Sequence, residues 1–337
     1  MLRLAILDDY ARVASECADW SALAGRVEIS VFDRHLSEQE GASALRPFDV
    51  LCTLRERMSL PRSLLVQLPN LKLITIIGAS LSNLDMTAAT ELGIVVSHSD
   101  LSQRAVAQIE SATPELTWGL VIATARRLTY ESRRMREGAW QSTAGMMLAG
   151  RTLGLLGLGR VGRRVAEYGR AFGMTVLAWS QNLTGNAAEA VGARRVEKDD
   201  LFRLADVLSI HVRLSERTRG LVTAHELALM KPESYLVNTS RGPIVVEADL
   251  IAALRAGQIA GAGVDVYDDE PPASDHPLRT MENVIVTPHL GYVTRETLRA
   301  FYSDSVEAVV AFLGGAPIRV ANRDALGHAR QRRPSAG

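Results

Sequence analysis

Only two cysteines, Cys17 and Cys52, occur in 337 residues, too few for the disulfide framework of a small secreted scaffold. Cys52 lies in the apolar run Val50 to Leu54 and reads as a buried structural thiol rather than a nucleophile. Net charge is also missing: Lys plus Arg and Asp plus Glu both number 38, so the totals recruit neither a nucleic acid nor an anionic membrane. The basic cluster of Arg126, Arg127, Arg133, Arg134 and Arg136 is offset by Glu131 and Glu137 and reads as a solvated or subunit-facing side. No apolar run is long enough to span a bilayer. The chain opens directly on strand-like Leu2 to Leu7 without a charged-then-apolar leader, which predicts a cytoplasmic protein with a small-molecule partner.

What is present is ample apolar material. Hydrophobic residues make up 47% and charged residues 23%, a globular balance, and the length suits two domains. Residues 1 to about 98 alternate strand with helix. Strands are expected at Leu2 to Leu7, Val27 to Phe32, Val50 to Leu54, Leu73 to Ile77 and Ile94 to Ser97. Helices are expected at Ala11 to Leu23, Ser37 to Leu45, Pro61 to Gln67 and Asp85 to Leu92. Such alternation implies a parallel sheet. This region has no glycine-rich phosphate turn of its own. Its loop Gly78 to Asp85 is either an anion-receiving backbone or an ordinary connection with Asn83 or Asp85 capping the next helix. From Arg104 to Gly138 runs a long helical pattern, expected to break near Thr113-Pro114.

The stretch Thr152 to Ser180 organises the rest. An apolar strand (Leu153 to Leu156) runs into Gly157-Leu-Gly159-Arg-Val-Gly162, a helix-patterned segment reaches Phe172, and Thr175 to Trp179 reads as a second strand. In that context Gly157 permits a tight turn, Gly159 admits a pyrophosphate close to the backbone, and Gly162 lets helix pack on strand. A dinucleotide is the expected ligand. An acidic residue would normally follow the second strand to bind the adenosine ribose, but position 180 is Ser, so the residues leave NAD and NADP both open.

Four more strands are expected at Val207 to Ile210, Tyr235 to Val237, Gly263 to Val266 and Val284 to Val286. The segments that follow them are His211-Val-Arg213, Asn238-Thr-Ser-Arg241, Tyr267-Asp-Asp-Glu270-Pro271 and Thr287-Pro-His289-Leu-Gly291. Strand C-termini form the ligand-binding rim of an open parallel sheet, so these polar groups should converge on the cofactor. Arg241 offers a planar fork for a carboxylate, His289 can give and take a proton, and Glu270 would orient the imidazole and favour its protonated form. Asp265 would either accept from a nicotinamide amide or make a structural hydrogen bond. A last helix within Thr294 to Leu313 should return to the first domain.

These motifs resemble the D-isomer-specific 2-hydroxyacid dehydrogenases, alongside D-3-phosphoglycerate dehydrogenase, glycerate and hydroxypyruvate reductases, and formate dehydrogenase. The resemblance runs from Gly78 to Asp85, through GLGRVG and LVNTSRGPIVVEADLIAALRAGQIAGAGVDVYDDEPP, to NVIVTPHLG. It implies an α/β protein of two parallel-sheet domains, Rossmann-like and flavodoxin-like, with a cleft between them. Residues 1–100 with 290–325 would form the substrate domain, 101–289 the NAD(P)-binding domain and 326–337 a flexible tail. The implied catalytic residues are Arg241, Glu270 and His289. Implied cofactor contacts are Gly157, Gly159, Arg160, Val161, Gly162, Ser180, Val212, Thr218, Thr239, Ser240, Arg241, Asp265, His289 and Gly291. The substrate would be held by Ala79, Ser80, Arg241 and His289, and the assembly would be a homodimer. Arg213 stands where such sequences commonly have Pro, and Ser80 and Ser82 where Gly and Asp are usual. Two alternatives share the fold, a non-catalytic NAD(H)-sensing partner protein of the corepressor type and a formate-type dehydrogenase. The latter lack the Glu, so Glu270 beside His289 argues for a hydroxy acid.

Overall fold

The computed structural model describes residues 1–55, 57–78, 81, 83–99 and 106–327. The chain divides into two compact units, Met1–Val106 with the chain from Thr294, and Ala107–Val293.

The first unit holds β1 (Leu2–Ile6), β2 (Val27–Val31), β3 (Val50–Leu54), β4 (Leu73–Ile77) and β5 (Val95–His98), all parallel, in the order β2-β1-β3-β4-β5. Every residue of β3 and β4 is buried, which is why these strands read as unbroken apolar runs rather than alternating ones. Ser37 and Glu40 form a reciprocal cap on helix Glu38–Ala44, and the Asp85 side chain caps Met86–Glu91 by accepting from Ala88 N. The expected single helix over Ala11 to Leu23 is instead two pieces, Ala14–Cys17 and a 3-10 turn Trp20–Leu23. Extended backbone at Ala18 ends the first piece, and the Asp19 carboxylate accepts from Ser21 N to start the second. Helix Arg295–Leu313, started by the Thr294 hydroxyl, belongs to this unit and packs on β4 with Phe301, Tyr302 and Val309 buried.

The second unit holds β6 (Thr152–Leu156), β7 (Thr175–Trp179), β8 (Arg194–Arg195), β9 (Val207–Ile210), β10 (Tyr235–Asn238), β11 (Gly261–Val264) and β12 (Val284–Val286). All pair in parallel, in the order β12-β11-β10-β9-β6-β7-β8. Strand order reverses at β6, which has β7 on one side and β9 on the other, so the glycine turn leaves from the switch point where such sheets take ligands. Phe202, Leu208, Leu236 and Val264 fill one face, while Leu153, Val165, Val176 and Val237 fill the other together with Leu120 and Val121.

Three details depart from the sequence reading. Strand β8 is an addition: it is two exposed arginines and carries no hydrophobic signal. Strand β11 starts at Gly261 and stops before Asp265; at Gly261 a methyl group would lie 2.3 Å from the Asn283 carbonyl oxygen, so glycine is what lets the strand enter there. The long helix runs unbroken over Val106–Ala125 with Pro114 inside it, and the break falls at left-handed Arg127 (φ 49°) before Leu128–Arg136. Packing of Trp118, Leu120 and Val121 into the sheet core outweighs the backbone bond that Pro114 forfeits. Among the described residues, no helix is long and apolar enough to cross a membrane.

Phe202 is completely buried in the second unit's core. Phe202→Ala should lower stability by about 3–5 kcal/mol, read as a lower denaturant midpoint with an unchanged slope.

Candidate active site

The three glycines differ in what demands them. Gly157 has φ +107°, and a methyl group on it would lie 2.7 Å from the His211 carbonyl carbon and the Val212 nitrogen. At Gly162 a methyl group would lie 2.2 Å from the Gly157 carbonyl oxygen. Both are fixed by the protein's own packing. Gly159 is not: it begins helix Arg160–Ala171 with no side-chain cap, and a methyl group there would meet nothing within 4 Å. An uncapped helix N-terminus facing open space, at the one glycine the fold does not itself require, fits the pyrophosphate of a dinucleotide. Arg160 and Val161 open that helix, with Arg160 Nη1 3.1 Å from Glu110 Oε1. Ser180 directly follows β7, and its carbonyl accepts from Leu183 N at 3.0 Å.

His211 packs beneath the turn, its Nε2 2.9 Å from the Ser209 hydroxyl, and desolvation pushes its imidazole down to about 3. Beside it, the Ser240 hydroxyl donates to the Val212 carbonyl at 2.5 Å, tying the segment after β10 to the segment after β9. Thr218 donates to the Arg213 carbonyl at 2.6 Å and accepts from Ser215 N at 2.8 Å. Thr239 pairs with the Thr117 hydroxyl at 2.7 Å. Arg241 follows, its backbone carbonyl accepting from Asn238 Nδ2 at 3.0 Å and its guanidinium donating to the Ser240 carbonyl at 2.7 Å.

The third group hangs on Asp265, the first residue beyond β11. One carboxylate oxygen accepts from the Thr287 hydroxyl at 2.6 Å and Leu290 N at 2.7 Å, the other from Gly291 N at 2.9 Å. These bonds give Asp265 a structural role. Burial pushes its carboxyl up even so. The bonds straddle His289, which sits at φ 52°, a conformation a non-glycine residue holds only when its surroundings impose it. His289 Nδ1 lies 2.5 Å from Glu270 Oε2. Tyr267 was not singled out in the sequence, yet its N–H donates to Glu270 Oε1 at 3.0 Å. Next to Arg241, a methyl group on Gly242 would lie 2.1 Å from the Tyr267 carbonyl, so the Arg241 loop and the Glu270 loop touch backbone to backbone. Arg241, Glu270 and His289 thus all lie in the second unit, on the rim that carries the glycine turn. Ala79 and Ser80 lie outside the described residues.

Two outcomes follow from this geometry. Gly159→Ala should leave thermal stability unchanged and weaken NADH binding, whereas Gly162→Ala should lower both; fluorescence titration and thermal melts on the two variants separate the effects. His211 stays neutral when folded but takes up a proton when unfolded below its ordinary 6.5, so its contribution to stability is full above that pH and is lost as pH falls toward about 3. Denaturant midpoints between pH 7 and pH 4 should therefore fall less steeply for His211→Gln than for the wild type.

Comparison with known proteins shows the family. The family model described as D-isomer specific 2-hydroxyacid dehydrogenase, NAD binding domain, matches residues 118–291. Glyoxylate reductase of Aeropyrum pernix is 38% identical over 273 residues, covering 78% of this chain and 80% of that protein. D-3-phosphoglycerate dehydrogenase of Methanocaldococcus jannaschii is 35% identical over 295 residues, covering 86% of this chain; the chain spans about half of that relative, 54% of its length. The solved phosphoglycerate oxidoreductase of Vibrio cholerae aligns with a TM-score of 0.87 at 36% identity, over 94% of this chain and all of that one. D-lactate dehydrogenase of Aquifex aeolicus, solved with NAD and lactic acid, aligns with a TM-score of 0.71 at 26% identity, over 93% of this chain and 96% of that one. On these matches the chain belongs to the D-isomer specific 2-hydroxyacid dehydrogenases, NAD-dependent oxidoreductases that act on CH–OH donors.

Proposed function

We propose that the chain reduces a small, unphosphorylated 2-keto acid of the glyoxylate or hydroxypyruvate type to the D-2-hydroxy acid, and catalyses the reverse oxidation. The observation that carries this reading is the His289–Glu270 contact at 2.5 Å, on the same rim as the glycine turn. When bound, NADH supplies the hydride. The remaining work falls to side chains. Arg241 presents its planar fork to the substrate carboxylate and to the charge that builds on the carbonyl oxygen. Glu270 occupies His289 Nδ1, which leaves Nε2 as the atom that gives a proton to that oxygen in reduction and takes it back in oxidation. The stretch Ile76 to Leu84 contains no basic residue, which supports an acid without a phosphate; Arg55, whose side chain packs on Gly78, and Arg57 are the cations that a phosphorylated acid would use instead.

Ser180, standing where an acidic residue would repel a 2′-phosphate, admits NADPH beside NADH. The enzyme works as a homodimer in the cytoplasm. Exposed Met135, Trp140 and Met147 on the second unit offer apolar surface for a second copy, and the free thiols of Cys17 and Cys52 suit a reducing compartment.

The test is oxidation of NADH and of NADPH, separately, against glyoxylate, hydroxypyruvate, pyruvate, a branched 2-keto acid and phosphohydroxypyruvate. Turnover should be highest with glyoxylate or hydroxypyruvate, and His289→Ala should cut it by about 10²-fold or more while NADH binding is retained. Undiminished turnover in that variant would remove His289 from the mechanism.

A further inference from the structure

Glu270 reaches His289 from a loop, and a loop carboxylate keeps a fixed distance only if the loop itself is held. Tyr267 is the nearest tie. Its N–H bonds Glu270, and its hydroxyl donates to the Thr287 carbonyl at 3.0 Å, two residues before His289 on the chain. The ring is buried, and burial pushes its phenol well above the ordinary range, so it serves as a donor throughout the working pH.

A second tie lies behind the first. The His276 ring meets the Tyr267 ring edge-on, with centroids 6.0 Å apart and planes at 76°. His276 Nδ1 accepts from Leu278 N at 3.3 Å, which places the ring proton on Nε2, and Nε2 is 2.8 Å from Glu247 Oε1. The other Glu247 oxygen accepts from Asp268 N at 3.5 Å. Glu247 begins helix Glu247–Arg255, where the helix dipole favours its charge, and that helix follows the Arg241 loop. One carboxylate therefore grips the Glu270 loop at two points from a rigid base. Both side chains are largely buried, 14% exposed for His276 and 22% for Glu247, so water does not compete freely for the pair.

We infer that Glu247 and His276 are a remote positioning pair, which holds Tyr267, and through it Glu270, at the distance from His289 that proton transfer requires. Neither touches a reacting atom. The inference rests on the assignment of Glu270 and His289 as the acid–base pair, and the experiment separates the two.

The full-length enzyme is prepared as wild type, Glu247→Ala, Glu247→Gln, His276→Ala and Glu270→Gln. For each, kcat and KM for the preferred keto acid, NADH affinity by fluorescence, the thermal midpoint, and the pH profile of kcat/KM are measured. Glu247→Ala and His276→Ala should lose about 10-fold to 10²-fold in kcat with NADH affinity retained, and their pH profiles should move toward that of Glu270→Gln. Glu247→Gln, whose amide oxygen still accepts from His276, should recover most of the rate. Alanine variants whose profiles superimpose on the wild type while that of Glu270→Gln moves would overturn the inference and leave the pair a structural clamp. A Glu270→Gln profile that itself superimposes on the wild type would overturn the acid–base assignment and the inference with it. Should either alanine variant fail to fold, His276→Phe, which keeps a ring against Tyr267 and removes the bond to Glu247, takes its place with the same two outcomes.

Discussion

A buried carboxylate, that of Asp265, holds together the part of the molecule where chemistry is done. Removing an ionised carboxyl from water is costly, and here the cost is offset by two backbone N–H donors and one hydroxyl, all from the turn that carries His289. Those bonds flank His289 on both sides and help to hold it in its left-handed conformation. The same turn is tied at its far side, where the Thr113 hydroxyl donates to the Gly291 carbonyl at 2.8 Å. The long helix that contains Pro114 thereby becomes a wall of the site rather than a mere connector.

The second constraint is closeness of backbone. Gly157 and Gly162 nest against each other and against the segment after β9, and Gly242 lies against Tyr267, so four loops on one rim are locked in two pairs without side chains intervening. Loops fixed in this way can present polar groups with little entropic cost at the moment of binding. Of the three glycines of the turn, Gly159 is the one left to face outward.

Much of this was legible in the sequence, and the reason differs from place to place. Buried parallel strands such as β3, β4 and β6 are continuous apolar runs, and their boundaries are marked by the residues that end them. Arg241, Glu270 and His289 stood out because each follows a strand in a parallel sheet, where side chains must face a ligand or water. The rest is tertiary. Strand β8 has no apolar pattern, Pro114 is overridden by packing, and the break at Arg127 is a backbone conformation that no residue type announces. Tyr267, His276 and Glu247 were invisible as a group because their connection exists only once the loop between β11 and β12 folds back on the helix that follows Arg241.

The two units are not consecutive along the chain: the second is an uninterrupted segment, whereas the first begins before it and ends after it. Synthesis from the N-terminus therefore finishes the two in reverse order of their start. The five-strand sheet emerges early, but β4 lacks the cover of Phe301 and Tyr302, and β5 lacks Asn322, whose side chain accepts from Val96 N at 2.8 Å and donates to the Ile94 carbonyl at 2.9 Å. Those partners leave the ribosome only after the whole nucleotide-binding unit, which has every strand it needs by then. A nascent chain thus holds a complete cofactor unit beside an apolar sheet still awaiting its last helix, and it is that waiting sheet, rather than the cofactor unit, that a chaperone would have to shield.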